Sequence, residues 1–202
     1  MNKDAVRVGV FGGAFDPPHL GHVALARAAI AQWGLERLHI VPTGRPSHKT
    51  PALTSAAHRL AMCALAFDDL PQVTVDAREI ERDGPSYTVD TLESLHRERP
   101  AARLYLLIGQ DQARSLPQWH RSADLARLAI ICVAGRPESG GSQTQVDAIP
   151  AGTWNLQSLH MPAMAHSATD IRQRLAQHQS IETLVPPPVA RYIAHHHLYQ
   201  SH

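Results

Sequence analysis

An α/β fold, a three-layer parallel sheet with helices on both faces, is what three features of this chain predict. Short apolar runs rich in Val, Ile and Leu recur along it, periodic segments of helix length separate most of them, and 202 residues at 44% hydrophobic content suffice to bury a continuous core. Alternation of that kind requires crossover connections and therefore parallel strands. No internal repeat or long linker divides the chain, so a single domain over 1–202 is expected, with a helical C-terminal region from about 167.

The first strand is read at Val6 to Phe11. After a glycine turn, Leu20, Val23, Ala24, Ala28 and Ile30 fall at helical spacing and predict a helix from Leu20 to Trp33. Leu38 to Pro42 is the second strand, Ser55 to Phe67 the next helix, and Val73 to Val75 a short strand. Thr88 to Arg99 reads as helix, Leu104 to Ile108 as strand, a shorter helix follows Ser122, and Ala129 to Val133 is strand again. Glu138 to Gln145 is rich in Gly, Ser and Gln without a period, which is loop composition. Trp154, Leu156 and Leu159 suggest a last strand, and Ser167 or Thr169 caps the helix that follows. Pro186-Pro187-Pro188 opens the final helix, where proline is tolerated in the first turn, and His195 to His197 occupy one turn of it.

Composition excludes several functions. Lys plus Arg number 19 against 18 Asp plus Glu, a net +1, so the broad basic field of a nucleic-acid binder is missing while a small anionic ligand is compatible. Cys63 and Cys132 sit in apolar surroundings without Cys-x-x-Cys spacing and read as buried reduced thiols. No stretch approaches the roughly 18 apolar residues of a membrane span and no signal-peptide core follows Met1, so no membrane partner and cytoplasmic residence are expected. The 14 histidines lack zinc-site spacing, so no protein metal cage is expected; homo-oligomerisation is left open.

The chemistry concentrates in Gly12-Gly13-Ala14-Phe15-Asp16-Pro17-Pro18-His19-Leu20-Gly21-His22, a glycine turn between strand and helix with two histidines on the first helical turn. A helix start presents unpaired N–H groups and the equivalent of about half a positive charge, which favours phosphate oxygens. The string lacks both G-x-G-x-x-G and the G-K-[ST] ending, which disfavours a dinucleotide-binding dehydrogenase and a P-loop kinase. Asp16, beside expected phosphates and before Pro17, is assigned a structural part, bonding backbone N–H groups of its own turn.

At eight fixed positions the string matches G-G-x-F-D-P-x-H-x-G-H, so the chain resembles the HxGH nucleotidylyltransferase superfamily, whose sheet is Rossmann-like. Pro85-Ser86-Tyr87-Thr88-Val89-Asp90-Thr91-Leu92, Ile108-Gly109-Gln110-Asp111 and Leu116-Pro117-Gln118-Trp119-His120 look like segments of bacterial nicotinate mononucleotide adenylyltransferases. So do Val41 to Lys49, Arg136-Pro137 and Ser167-Ala168-Thr169-Asp170-Ile171-Arg172, and the resemblance spans nearly the whole chain. His166 departs from the isoleucine common in that family, a change that bears on local packing.

The resemblance implies transfer of the adenylyl group of ATP to nicotinate mononucleotide in NAD biosynthesis, releasing pyrophosphate, with Mg²⁺ held mainly by ATP oxygens. Such a reaction needs positioning and charge stabilisation, not a protein nucleophile. It implies catalytic parts for His19, His22 and Arg172. ATP would be held by Gly12, Gly13, Phe15, His19, His22, Arg136, Ser167, Thr169 and Arg172. Nicotinate mononucleotide would be held by His48 and Lys49 at its phosphate, Asp111 at its ribose, and Ser86, Tyr87, Thr88, Trp119 and His120 around its ring, with the Trp119 indole exposed in a short loop and stacked on the pyridine.

Two other readings compete. A phosphopantetheine adenylyltransferase shares the HxGH string but is shorter and needs no pyridine-stacking tryptophan. A sensor that binds ATP without turnover would have no use for an acceptor loop.

Overall fold

The computed structural model describes residues 5–46, 53–134, 154–161 and 167–200. His48, Lys49, Arg136, His166 and the Glu138 to Gln145 loop, on which several expectations fell, lie outside the described residues. Eight strands are described: β1 Arg7–Gly13, β2 Arg37–Pro42, β3 Arg45–Pro46, β4 Val73–Val75, β5 Pro85–Ser86, β6 Arg103–Gly109, β7 Ala129–Ala134 and β8 Leu156–Leu159. The helices are α1 Leu20–Trp33, α2 Ala56–Phe67, α3 Arg78–Glu81, α4 Thr88–Glu98, α5 Gln110–Ser115, α6 Ser122–Leu128, α7 Ala168–Ala176 and α8 Pro187–His195, with a 3-10 turn at Leu116–Gln118.

Six strands form one sheet in the order β4-β2-β1-β6-β7-β8, every pairing parallel. The chain leaves β1 toward β2 and β4, then returns to build β6, β7 and β8 on the other side. The direction of winding therefore switches between β1 and β6, and a crevice opens beyond their C-terminal ends. β3 and β5 make a separate two-stranded parallel ribbon beside that opening.

The period of two along each strand sorts side chains into two cores. Val8 and Val10 of β1, Leu104, Leu106 and Ile108 of β6, and Ile131 and Val133 of β7 pack with Val89, Leu92 and Leu95 of α4. Phe11, Leu38, Ile40, Tyr105, Leu107 and Cys132 point the other way, against α1, α2 and α8 through Ala26, Met62, Cys63, Val189 and Ile193. Each fully buried Leu or Ile contributes about 1.5–3 kcal/mol, so a sheet covered on both faces is the main source of stability. Cys63 and Cys132 are buried free thiols, and burial pushes Cys132 up to about 12.

The six strands of the large sheet, the long helices and the Ser167 cap agree with the sequence reading, which did not foresee β3, β5 or α3; the Ser167 hydroxyl accepts the Asp170 N–H at 3.1 Å. Two expectations need correction. The short loop read after Asp111, around Trp119, holds most of α5 and the 3-10 turn, elements too short to display a helical period. The last helix ends at His195, with His196 its C-cap and His197 at φ 50, so the three histidines do not share a turn of it.

A polar network runs from β2 through the residues after β4 to the end of α4. His39 Nδ1 lies 2.8 Å from Asp76 Oδ2, and Arg78 donates from its backbone at 3.0 Å and from Nε at 2.8 Å to the same carboxylate, then bonds Glu98 through Nη1 at 2.8 Å. Burial alone pushes Asp76 up, but the bonds from His39 and Arg78 outweigh it and hold the carboxyl at about 2, against 3.8 when free. The folded pKa is the lower one, so its stabilisation is complete above pH 4 and is lost as pH falls from about 4 to 2, amounting to about 1 kcal/mol once solvent screening of the partly exposed carboxylate is allowed for. Urea unfolding of wild type and Asp76→Asn across that window is expected to show the gap between them narrowing as pH falls; a constant gap removes Asp76 as the source.

Candidate active site

β1 ends at Gly13, whose carbonyl accepts the Thr43 N–H at 2.8 Å, so the tips of β1 and β2 are tied just below the glycine turn. Phe15 then adopts φ 48 and buries its ring, meeting Phe11 edge-on at 5.3 Å and Phe67 at 6.3 Å. Its side chain thus anchors the loop in the core, leaving only its backbone near the crevice. The Asp16–Pro17 peptide is cis.

His19 is the N-cap of α1, with extended φ −138 and ψ 172, and its backbone N–H donates to His22 Nδ1 at 3.1 Å. The two imidazoles stack with centroids 3.7 Å apart and planes 24° from parallel. Phe15 meets His22 edge-on at 4.9 Å. Burial, aided by repulsion from His19, holds His22 well below the usual histidine pKa, so the ring is neutral. Since Nδ1 accepts a hydrogen bond, the neutral ring carries its proton on Nε2, and His22 is a donor there.

Asp16 differs from expectation in its partners. Its carboxylate, 4% exposed, accepts the Thr54 N–H at 3.1 Å and the Tyr199 O–H at 2.5 Å, both from distant segments and neither from its own turn. The structural part expected of it stands, over a longer range. The Asp16 carbonyl accepts Arg172 Nη1 at 2.7 Å, and Arg172 Nη2 reaches Thr169 Oγ1 at 3.3 Å, so the start of α7 is brought beside the start of α1. Beneath them Arg59, 2% exposed, donates to the carbonyls of Ala14 at 3.0 Å and Thr54 at 2.9 Å.

A cavity of about 180 Å³ opens where the winding switches, floored by Val10, Val41, Leu106, Leu107 and Ile108. Gly12, Gly13, Ser86, Thr88 and Trp119, singled out from the sequence, line it together; Thr43, Glu79, Thr91 and Gln112 line it too and were missed. Thr91 donates to Glu79 Oε1 at 2.8 Å, and burial raises the Glu79 carboxyl above its usual value. The spacing of Thr88 and Thr91, one helical turn apart, was a signal for Thr91; Glu79 lies in a run of charges that reads as surface.

Trp119 is half-buried against the α4 core, where the sequence reading had it exposed in a loop. Its Nε1–H donates to Ser115 Oγ at 3.1 Å and the Ser115 hydroxyl donates to the Gln112 carbonyl at 2.9 Å, so the indole plane is held before any ligand arrives. Tyr87 and His120 stack on each other at 4.2 Å, and neither is in the cavity wall. The Asp111 side chain is 99% exposed, 3.7 Å from Arg114, and is likewise not brought into the wall. Among the described residues no three His, Cys, Asp or Glu side chains converge as a metal cage, and Asp16 is committed to Thr54 and Tyr199. No helix of the described residues is long and apolar enough to cross a membrane.

The cytidylyltransferase-like family model matches residues 10–174, a span that takes in the glycine turn, the histidine-led helix and the cavity wall, and places the chain among the nucleotidyltransferases. Within that class the chain belongs to the nicotinate-nucleotide adenylyltransferases. It is 54% identical over 195 residues to the "Probable nicotinate-nucleotide adenylyltransferase" of Albidiferax ferrireducens, covering 96% of this chain and 98% of that one. The protein of the same name from Bacillus pumilus is 38% identical, covering 96% and 99%. In fold, the chain superposes on the Plasmodium falciparum nicotinic acid mononucleotide adenylyltransferase complexed with NaAD with a TM-score of 0.76 at 18% identity, covering 96% of this chain and 97% of that one.

Proposed function

We propose that this chain transfers the adenylyl group of ATP to nicotinate mononucleotide, forming nicotinate adenine dinucleotide and pyrophosphate in NAD biosynthesis. The observation that carries the reading is the cavity at the switch point that Gly12, Gly13 and Trp119 line together. A phosphate oxygen of the mononucleotide attacks the α-phosphorus of ATP, and the bond from that phosphorus to the bridging oxygen of pyrophosphate breaks.

In this reading Gly12 and Gly13 let the backbone approach the triphosphate. His22, donating through Nε2, and His19 stabilise charge on the departing pyrophosphate, and Thr169 and Arg172 hold it from the α7 side. Ser167 caps α7, and Phe15 serves ATP by anchoring the loop. By resemblance, Arg136 binds ATP, and His48 and Lys49 take the mononucleotide phosphate. Mg²⁺ arrives on ATP oxygens and offsets their charge, the coordination that ion prefers. Asp111 is assigned to the ribose, which requires its exposed side chain to turn inward on binding.

The pyridine ring lies on Trp119, with Tyr87 and His120 beside it and Ser86 in the wall. Its carboxylate faces the start of α4, where Tyr87 supplies no side-chain cap and the Thr88 and Val89 N–H groups are available. A ring amide would set its own NH₂ against those donors, so the acid is preferred. The free thiols fit cytoplasmic residence.

The test is product formation from ATP and Mg²⁺ with nicotinate mononucleotide, nicotinamide mononucleotide or phosphopantetheine supplied separately. Dinucleotide mainly from the nicotinate form supports the proposal. Product mainly from another acceptor keeps the transfer chemistry and removes the pyridine assignment, and ATP binding without any product favours a sensor. Ser115→Ala, which frees the indole, is expected to raise the KM for nicotinate mononucleotide about three- to tenfold with the KM for ATP unchanged. Ser115→Thr is expected to restore it; equal changes in both constants would mean that Ser115 does not act through Trp119.

A further inference from the structure

The last turn of the chain reaches the nucleotide side of the cleft. Tyr199, at φ 64 just beyond α8, donates to Asp16 at 2.5 Å across 183 positions of sequence. Asp16 is the residue whose carbonyl holds the Arg172 guanidinium at 2.7 Å, and it precedes His19 by one turn of the loop. The carboxylate is 4% exposed, so its charge is satisfied by the Tyr199 hydroxyl and the Thr54 N–H and not by bulk water.

We infer that Tyr199 is a positioning residue for the ATP site, acting through Asp16 on Arg172. The inference rests on the adenylyl-transfer reading and adds to it a group outside every motif that suggested that reading. Arg172 offers five N–H donors, of which the Asp16 carbonyl and Thr169 take two, leaving the remainder to point where those two bonds aim them. The aim therefore depends on where the Asp16 backbone sits, and Asp16 is held by its side chain. Removing the Tyr199 hydroxyl leaves a buried carboxylate short of a donor, and the cheapest relief is a shift toward Arg172 or Arg59, either of which displaces the carbonyl that Arg172 uses. Burial, and then the bond to Asp16, push the Tyr199 hydroxyl up, so it stays a donor throughout the working pH range. Tyr199, Asp16 and Arg172 do not line the cavity, so the acceptor is expected to respond to them less than ATP does.

The experiment is steady-state kinetics of Tyr199→Phe, Arg172→Lys and the double variant with MgATP and nicotinate mononucleotide, alongside thermal melts and wild type. Tyr199→Phe keeps the ring and its packing. It is expected to raise the KM for ATP about tenfold, the factor carried by one hydrogen bond to a charged group, with the KM for nicotinate mononucleotide within about twofold. In the Arg172→Lys background the same change is expected to have an effect of less than about twofold, because its route is already broken. An unchanged KM for ATP, equal rises in both constants, or the same factor in both backgrounds would overturn the inference and assign Tyr199 to stability alone. If Tyr199→Phe does not fold, Asp16→Asn takes its place in the same cycle with the same criteria. A wild type inactive with every acceptor overturns the functional reading and this inference together, whereas an active wild type with an indifferent Tyr199→Phe overturns this inference only.

Discussion

His22→Ala is expected to lower kcat by about 10²–10³-fold, the loss that follows removal of one preorganised donor from a developing negative charge. The donor is preorganised because Nδ1 is occupied by the His19 N–H and the ring is wedged between the His19 imidazole and the Phe15 edge. The same bond caps the helix, so the variant also loses about 1 kcal/mol of stability, which a thermal melt separates from the kinetic effect. The imidazole is already neutral in the free enzyme, its pKa held well below 6.5 by burial and by His19. Raising the pH above 6.5 therefore removes no proton from His22, and kcat/KM for ATP is expected to show no alkaline fall that disappears in His22→Ala. A kcat within tenfold of wild type would remove His22 from the transition state.

Gly44→Ala is expected to destabilise the protein by about 3 kcal/mol or more and to abolish acceptor binding in what remains folded. A Cβ at Gly44 would stand 1.9 Å from the Glu79 carbonyl oxygen and 2.6 Å from its carbon. Those are backbone atoms of α3, which cannot swing aside as a flexible side chain does, and the same Cβ would meet Ser86 Oγ at 3.0 Å. Both Glu79 and Ser86 line the cavity, so relief of the clash must open its wall. Gly109→Ala is the control, because a Cβ there meets nothing within 4 Å, and its urea midpoint is expected close to wild type. If Gly44→Ala unfolds within about 1 kcal/mol of that control, the Gly44 backbone does not abut the Glu79 carbonyl.

How much of this could be read before folding differs between elements. Val8, Val10, Leu104, Leu106 and Ile108 alternate with Phe11, Tyr105 and Leu107, and that local period is enough to announce strands buried on both faces. Leu20 to Trp33 matches its helix residue for residue, since a glycine turn before it and Gly34 in the left-handed region after it mark both ends. Within the site, Gly12, Gly13, Ser86, Thr88 and Trp119 were legible because motif spacing is local and each lies at the tip of a regular element. Glu79, Gln112 and Thr43 were not, for they reach the cavity only when α3, α5 and the end of β2 are laid side by side.

By itself, then, the order of residues determined the six strands of the large sheet, the long helices and the glycine turn between β1 and α1, all of which depend on neighbours within a few positions. Only the tertiary structure decided that Asp16 bonds Thr54 and Tyr199 and not its own loop, that Ser115 fixes the Trp119 indole, and that Gly44 abuts Glu79. The reason is physical: a buried polar group takes whichever donors the packed chain delivers, and the two delivered to Asp16 come from 38 and 183 positions away, distances over which no local pattern carries information.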